Sequence, residues 1–190
     1  MHDIADVLEF WFREDVKLLW FESNPAFDQT IRKQFAELFA RAATGELKSW
    51  ENSAEGCLAL CILLDQMPRN MFRGNARAFT TDEKALAIAE HALARRFDAD
   101  LPAERKQFLY LPFMHSEEVG NQLRCLALYE TEGLRDWRQY AAEHLDIIRR
   151  FGRFPHRNAV LGRESTEAEI AYLDEAPETY GQELKASSGR

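Results

Sequence analysis

GLRDWRQYAAEHLDIIRRFG, residues 133–152, is the most regular stretch of the chain. Between its two glycines Leu134, Trp137, Tyr140, Ala141, His144, Leu145, Ile148 and Phe151 recur at steps of three and four. That spacing gathers side chains on one face of an α-helix. Gly152 supplies the left-handed turn at which such a helix stops.

Working outward, nearly every other segment reads the same way. Asp3 caps a first helix with Ile4, Val7, Leu8 and Trp11 on one face. Asn24-Pro25, a cap followed by proline at the first helical position, opens a second that carries Phe27, Ile31, Phe35, Leu38 and Phe39 and stops near Gly45. A third is expected over 53–66 with Cys57, Leu58, Cys61 and Ile62 inward, interrupted by Pro68. Thr80 with Glu83 predicts a capping box for a helix over 81–96, and Asp100-Leu-Pro102 starts a shorter one through Tyr110, ended by Pro112. Ser116 is the expected cap of a helix bearing Val119, Leu123 and Leu126, and Thr166 with Glu169 that of a last short helix. No alternating β-branched run and no Asn-Gly or Asp-Gly hairpin turn is present. The expected fold is all-α: one domain over 1–175, about eight helices in antiparallel pairs, followed by a loose polar tail over 176–190.

Composition agrees with a globule. Of 190 residues 46% are apolar, with 13 Phe, 4 Trp and 5 Tyr, far too many for a disordered chain. No apolar run approaches the ~20 residues of a membrane span. The acidic N-terminus lacks the basic residues of a signal peptide. With three cysteines, Cys57, Cys61 and Cys125, it reads as a cytoplasmic protein with buried thiols. The aromatic cluster Phe10, Trp11, Phe12, Trp20 and Phe21 is expected to close the core.

The net charge of −8 is unevenly spread. Residues 66–81 hold Arg69, Arg73 and Arg77 without an acid, and residues 147–163 hold Arg149, Arg150, Arg153, Arg157 and Arg163 without one. The acidic remainder disfavours nucleic acid as a partner. Two stretches between helices, LLDQMPRNMFRG (63–74) and FGRFPHRNAVLGR (151–163), are proline-stiffened and apolar yet rich in polar heads. Guanidinium groups on such a frame suit a planar anion, which they bind through paired hydrogen bonds. They equally suit ion pairs that tie helix ends down. LYLPFMHSEEVGNQ (109–122) adds His115, Glu117, Glu118 and Gln122, and a histidine beside a carboxylate can move protons near neutral pH. His144, on the apolar stripe of its helix, reads as a satisfied core residue.

Several chemistries lack their motifs. There is no Glu-x-x-His, His-Glu-x-x-His, phosphate-binding glycine loop, dinucleotide fingerprint or Gly-x-Ser-x-Gly. Cys57 and Cys61 have no partners for a closed zinc site, and no cofactor is expected.

VLEFWF (7–12), WFESNPAFDQTIRKQF (20–35), LALCILLDQMPRNMFRG (58–74), FLYLPFMHSEE (108–118), His144 and FGRFPHRNAVLGREST (151–166) together resemble the bacterial domain-of-unknown-function 924 family, over residues 4–173. The resemblance implies a tetratricopeptide-like helical fold and no assigned reaction. It matches the family's polar positions at Asp65, Gln66, Arg69, Asn70, Arg73, His115, Glu117, Gln122, Arg153, His156, Arg157, Asn158 and Arg163.

Three readings stay open. In one, the loops converge on a pocket for a small phosphate- or carboxylate-bearing metabolite, Gln66, Arg69, Asn70, Arg73, Gln122, Arg153, Arg157, Asn158 and Arg163 binding it. His115 or His156 would then be the acid–base group, oriented by Asp65 or Glu117, and Arg69, Arg153 and Arg157 should lie together. In the second, a helical array presents an arginine-lined groove to an acidic peptide. In the third, the arginines form an ion-pair network that locks helix ends.

Overall fold

The computed structural model describes residues 3–131 and 133–175; the expected tail over 176–190 lies outside them. All regular structure among the described residues is helical. The longer helices are α1 (Ile4–Trp11), α3 (Pro25–Thr44), α4 (Ala54–Cys61), α6 (Asp82–Ala94), α7 (Ala103–Met114), α8 (Val119–Leu128) and α9 (Arg138–Phe151). Short ones are α2 (Glu14–Lys17), α5 (Met67–Met71) and α10 (Glu167–Glu175). Helix α4 is central, packing on α1, α6 and α7, while α7, α8 and α9 each lie against the next. No described helix is long and apolar enough to cross a membrane.

Most helix ends are explained by their capping residues. Asp3 and Asp6 form a reciprocal capping box on α1. The Asn24 side chain accepts from the amides of Ala26 and Phe27, with Pro25 at the first turn. Gly45 and Gly152 close α3 and α9 at φ +84° and +70°, a conformation that costs a residue with a Cβ. Thr166 and Glu169 exchange side chain–backbone hydrogen bonds ahead of α10. Phe10 and Trp11 are buried, and Trp11, Phe12 and Trp20 meet edge-on around the ring of Phe108. Phe21, however, is 63% exposed. The three thiols are free and buried.

Two expectations about prolines are corrected. Pro68 does not interrupt the chain: α4 continues through a π-helical turn, Ile62–Gln66, directly into α5. Residues 63–71 are therefore helix, not loop. The Met67 amide donates to the carbonyl of Ile62, five residues back, the wider spacing that a π turn supplies. Pro68 has no N–H to give the Leu64 carbonyl, and the Thr81 hydroxyl donates to it instead, at 2.5 Å. That use of Thr81 replaces the expected Thr80–Glu83 box, and no side chain caps α6. Pro112 likewise lies inside α7, which runs on to Met114. The N-cap of α8 is Glu118; Ser116 contributes by accepting the Glu118 amide at 3.2 Å.

Candidate functional site

The π turn determines what faces inward at the end of α4. Asp65 is wholly buried within it. Its carboxylate faces His115 Nδ1 at 2.7 and 3.0 Å and accepts from Gln66 Nε2 at 2.5 Å. Arg69, one turn on, stands 3.3 Å from Asp65 and hydrogen-bonds its backbone carbonyl. Burial alone would raise the Asp65 carboxyl, but Arg69 and His115 more than reverse this and hold it well below the usual carboxylate range. An ionised carboxylate only accepts, so Nδ1 of His115 carries the proton and Nε2 the lone pair. Nε2 makes no hydrogen bond among the described residues.

A second arginine arrives from the other basic segment. Pro155–Arg157 form a single 3-10 turn, which delivers Arg157 to the far side of Asp82. Arg69 grips Asp82 through two parallel hydrogen bonds of 2.9 Å, whereas Arg157 reaches it only at 3.5 Å. Arg157 also donates to the His115 carbonyl at 3.1 Å. Its guanidinium lies between rings, 4.8 Å from the centre of Phe79 and 4.4 Å from that of Phe154. Only 6% of the residue is exposed, and its Nε is buried without a partner.

The two guanidiniums respond oppositely. Burial lowers Arg69, but Asp65 and Asp82 outweigh it and leave the group above its ordinary value. Burial and the neighbouring Arg69 push Arg157 down to about 10. Arg157 is thus the under-compensated cation of the cluster. Three histidines surround it. His115 lies 6.4 Å, ring to ring, from His144, and His144 and His156 each pack 5.5 Å from Phe154. All three are shifted down, burial being the largest cause, with His144 at about 3. His144 Nδ1 is 2.7 Å from the Tyr140 carbonyl, the bond of a core histidine.

Several residues expected at the site lie elsewhere in the ion-pair scheme. Arg73 and Asn70 converge on Asp28 of α3, Arg73 through a bidentate pair of 2.7 and 2.9 Å. Arg153 clamps Glu169 of α10 at 2.6 and 2.8 Å, so it does not join Arg69 and Arg157 on Asp82. Glu117 orients no histidine: it accepts two hydrogen bonds from Arg163 and the amide of Phe154, fastening residues 154–163 to the start of α8. Gln122 Nε2 closes the carbonyls of Met114 and Ser116, both at 2.6 Å. Asn158 bonds Ser165. Asp82 and Phe79 were not among the sequence candidates. An acid in the first turn of a helix ordinarily reads as a dipole partner, and only the fold brings it to two arginines. No group of three His, Cys, Asp or Glu among the described residues could hold a metal ion.

Fold and cluster together define an all-α protein whose helix ends converge on a buried Asp–His–Arg centre. The chain belongs to the family described as bacterial protein of unknown function, DUF924, which matches residues 7–177. It is similar to a solved protein of unknown function from Agrobacterium tumefaciens, at 41% identity and a TM-score of 0.86 over 91% of this chain and 97% of that one. No curated protein matches it.

Proposed function

We propose that the protein binds a small phosphate- or carboxylate-bearing metabolite at the Arg69–Arg157–His115 centre, as a cytoplasmic protein with no nucleic-acid or membrane partner. The observation that carries this reading is Arg157, a buried guanidinium with an unpartnered Nε and one carboxylate contact of 3.5 Å. A buried charge left poorly paired is costly, and an arriving anion relieves that cost. The better-paired Arg73, Arg153 and Arg163 supply the frame. An acidic peptide is the weaker reading, because the site's cations are sunk among rings instead of lining an open groove. The free, buried thiols suit a reducing compartment.

A thermal-shift screen against phosphorylated and carboxylated metabolites at low salt tests this. A ligand at 100 times its Kd adds about 2.7 kcal/mol, which raises the Tm of a domain this size by roughly 5–10 °C. The shift should disappear in Arg157→Gln. Anions that never move the Tm, or that bind the folded variant unchanged, would discard the proposal.

A further inference from the structure

Resting on that reading, we propose that the ligand is a phosphate-type anion which donates an O–H hydrogen bond to His115 Nε2, a phosphomonoester or dihydrogen phosphate instead of a carboxylate. The case begins with the tautomer. Asp65 faces Nδ1 with both oxygens, at 2.7 and 3.0 Å, and is itself held by Gln66 and Arg69. The carboxylate therefore takes the Nδ1 proton as its hydrogen bond, and the lone pair is presented at Nε2. Asp65 is a positioning residue in this scheme, and Nε2 is the atom that meets the ligand.

The charges facing the imidazole are Arg69 and Arg157 as cations and Asp65 and Asp82 as anions, with Glu117 already taken by Arg163. His144 and His156, buried beside Phe154, stay neutral. A ligand at this point thus meets a guanidinium that lacks an anion and, from the same residue whose carbonyl Arg157 holds, a nitrogen that lacks a proton. A carboxylate at neutral pH satisfies the first need and opposes its own lone pair to the second. Sulfate does the same. A phosphomonoester, with its second ionisation near ~6, satisfies both, since its monoanion carries negative oxygens and one O–H. A site built around an O–H donor rejects the analogue lacking it, because a buried polar atom is then left unpaired. If the proton crosses, the O–H bond breaks, N–H forms, and the electron pair remains on the phosphate oxygen; nothing else changes.

Inorganic phosphate and sulfate are the probes, titrated calorimetrically into the full chain at pH 7 and low salt. Phosphate should bind at least about tenfold more tightly than sulfate, and His115→Gln should collapse that preference to within about twofold. In the unaltered protein, saturating phosphate should move the 15N resonance of His115 Nε2 while Nδ1, held by Asp65, stays in place; this readout does not need the variant to fold. Equal affinity for sulfate, an undiminished preference in folded His115→Gln, or an unmoved Nε2 resonance would overturn the inference and leave the anion site standing. Neither anion binding would remove the anion site itself.

Discussion

The hydroxyl of Thr81 donates to the carbonyl of Leu64 at 2.5 Å, from a position wholly inside the protein. Leu64 is four residues before Pro68, so this is the acceptor that an ordinary residue at 68 would have bonded. Thr81 thereby completes the helix that carries Asp65 and Arg69.

Thr81→Val keeps the shape and deletes the donor. It should cost about 1–3 kcal/mol, the range for a buried acceptor left unsatisfied. In a chain of this size each kcal/mol lowers the Tm by roughly 2–4 °C. Thr81→Ser should retain most of the stability. Melting curves of the two variants that coincide would show the bond to be immaterial.

The Arg153–Glu169 clamp predicts an acid response. Glu169 is held at about 2 by Arg153, against an ordinary value of 4.5. Its folded value is the lower one, so its contribution is fully present above pH 4.5 and is lost as pH falls toward 2. Arg153→Gln should be less stable near neutrality and should lose less on acidification through that window. Denaturation series from pH 5 to about pH 2.5 in both proteins check it, and parallel curves would count against the clamp.

Histidines set a second slope at higher pH. His115, His144 and His156 are all shifted below the ordinary 6.5, so the unfolded chain takes up protons there that the fold refuses. Stability should be highest above pH 6.5 and fall below it, by up to about 1.4 kcal/mol per pH unit for each histidine. In His144→Gln, which keeps a donor for the Tyr140 carbonyl, the slope between pH 6.5 and pH 4 should shrink by one proton. An unchanged slope would mean that His144 is charged in the fold.

Burial raises the Cys57 thiol to about 11 and the Cys125 thiol to about 12, and places Cys61 well above its usual range. The reactive species is the thiolate, so all three should be nearly inert in the native protein. Thiol-reactive dyes at pH 8 should label them at least about a hundredfold more slowly than in denaturant. Rapid labelling of any one under native conditions would place that cysteine at an opening of the fold.

The fold was legible where a local rule decides it. Asn24-Pro25, the Thr166–Glu169 box and the stripe from Leu134 to Phe151 each carry their own start, face or stop. The prolines misled because their usual effect was outvoted at a distance: Thr81, thirteen residues past Pro68, supplies the missing donor. The same limit governs the site. Asp65, His115, Arg69 and Arg157 stand out in sequence as polar heads among apolar residues and prolines, and the fold brings them together. Nothing local separates them from Arg73 and Arg153, whose partners Asp28 and Glu169 are assigned by tertiary packing alone.

The π turn at Ile62–Gln66 also sets how little would undo the centre. Loss of a single codon within it would close the turn to ordinary α geometry and rotate helix α5 by about 100°. Arg69 would leave Asp82, and Arg73 and Asn70 would leave Asp28, while the hydrophobic composition of the chain stayed almost the same. A three-nucleotide in-frame deletion is therefore the smallest genetic change that would dismantle the centre and spare the helices, which makes the length of this turn a more telling marker for sorting related chains than any one of its side chains.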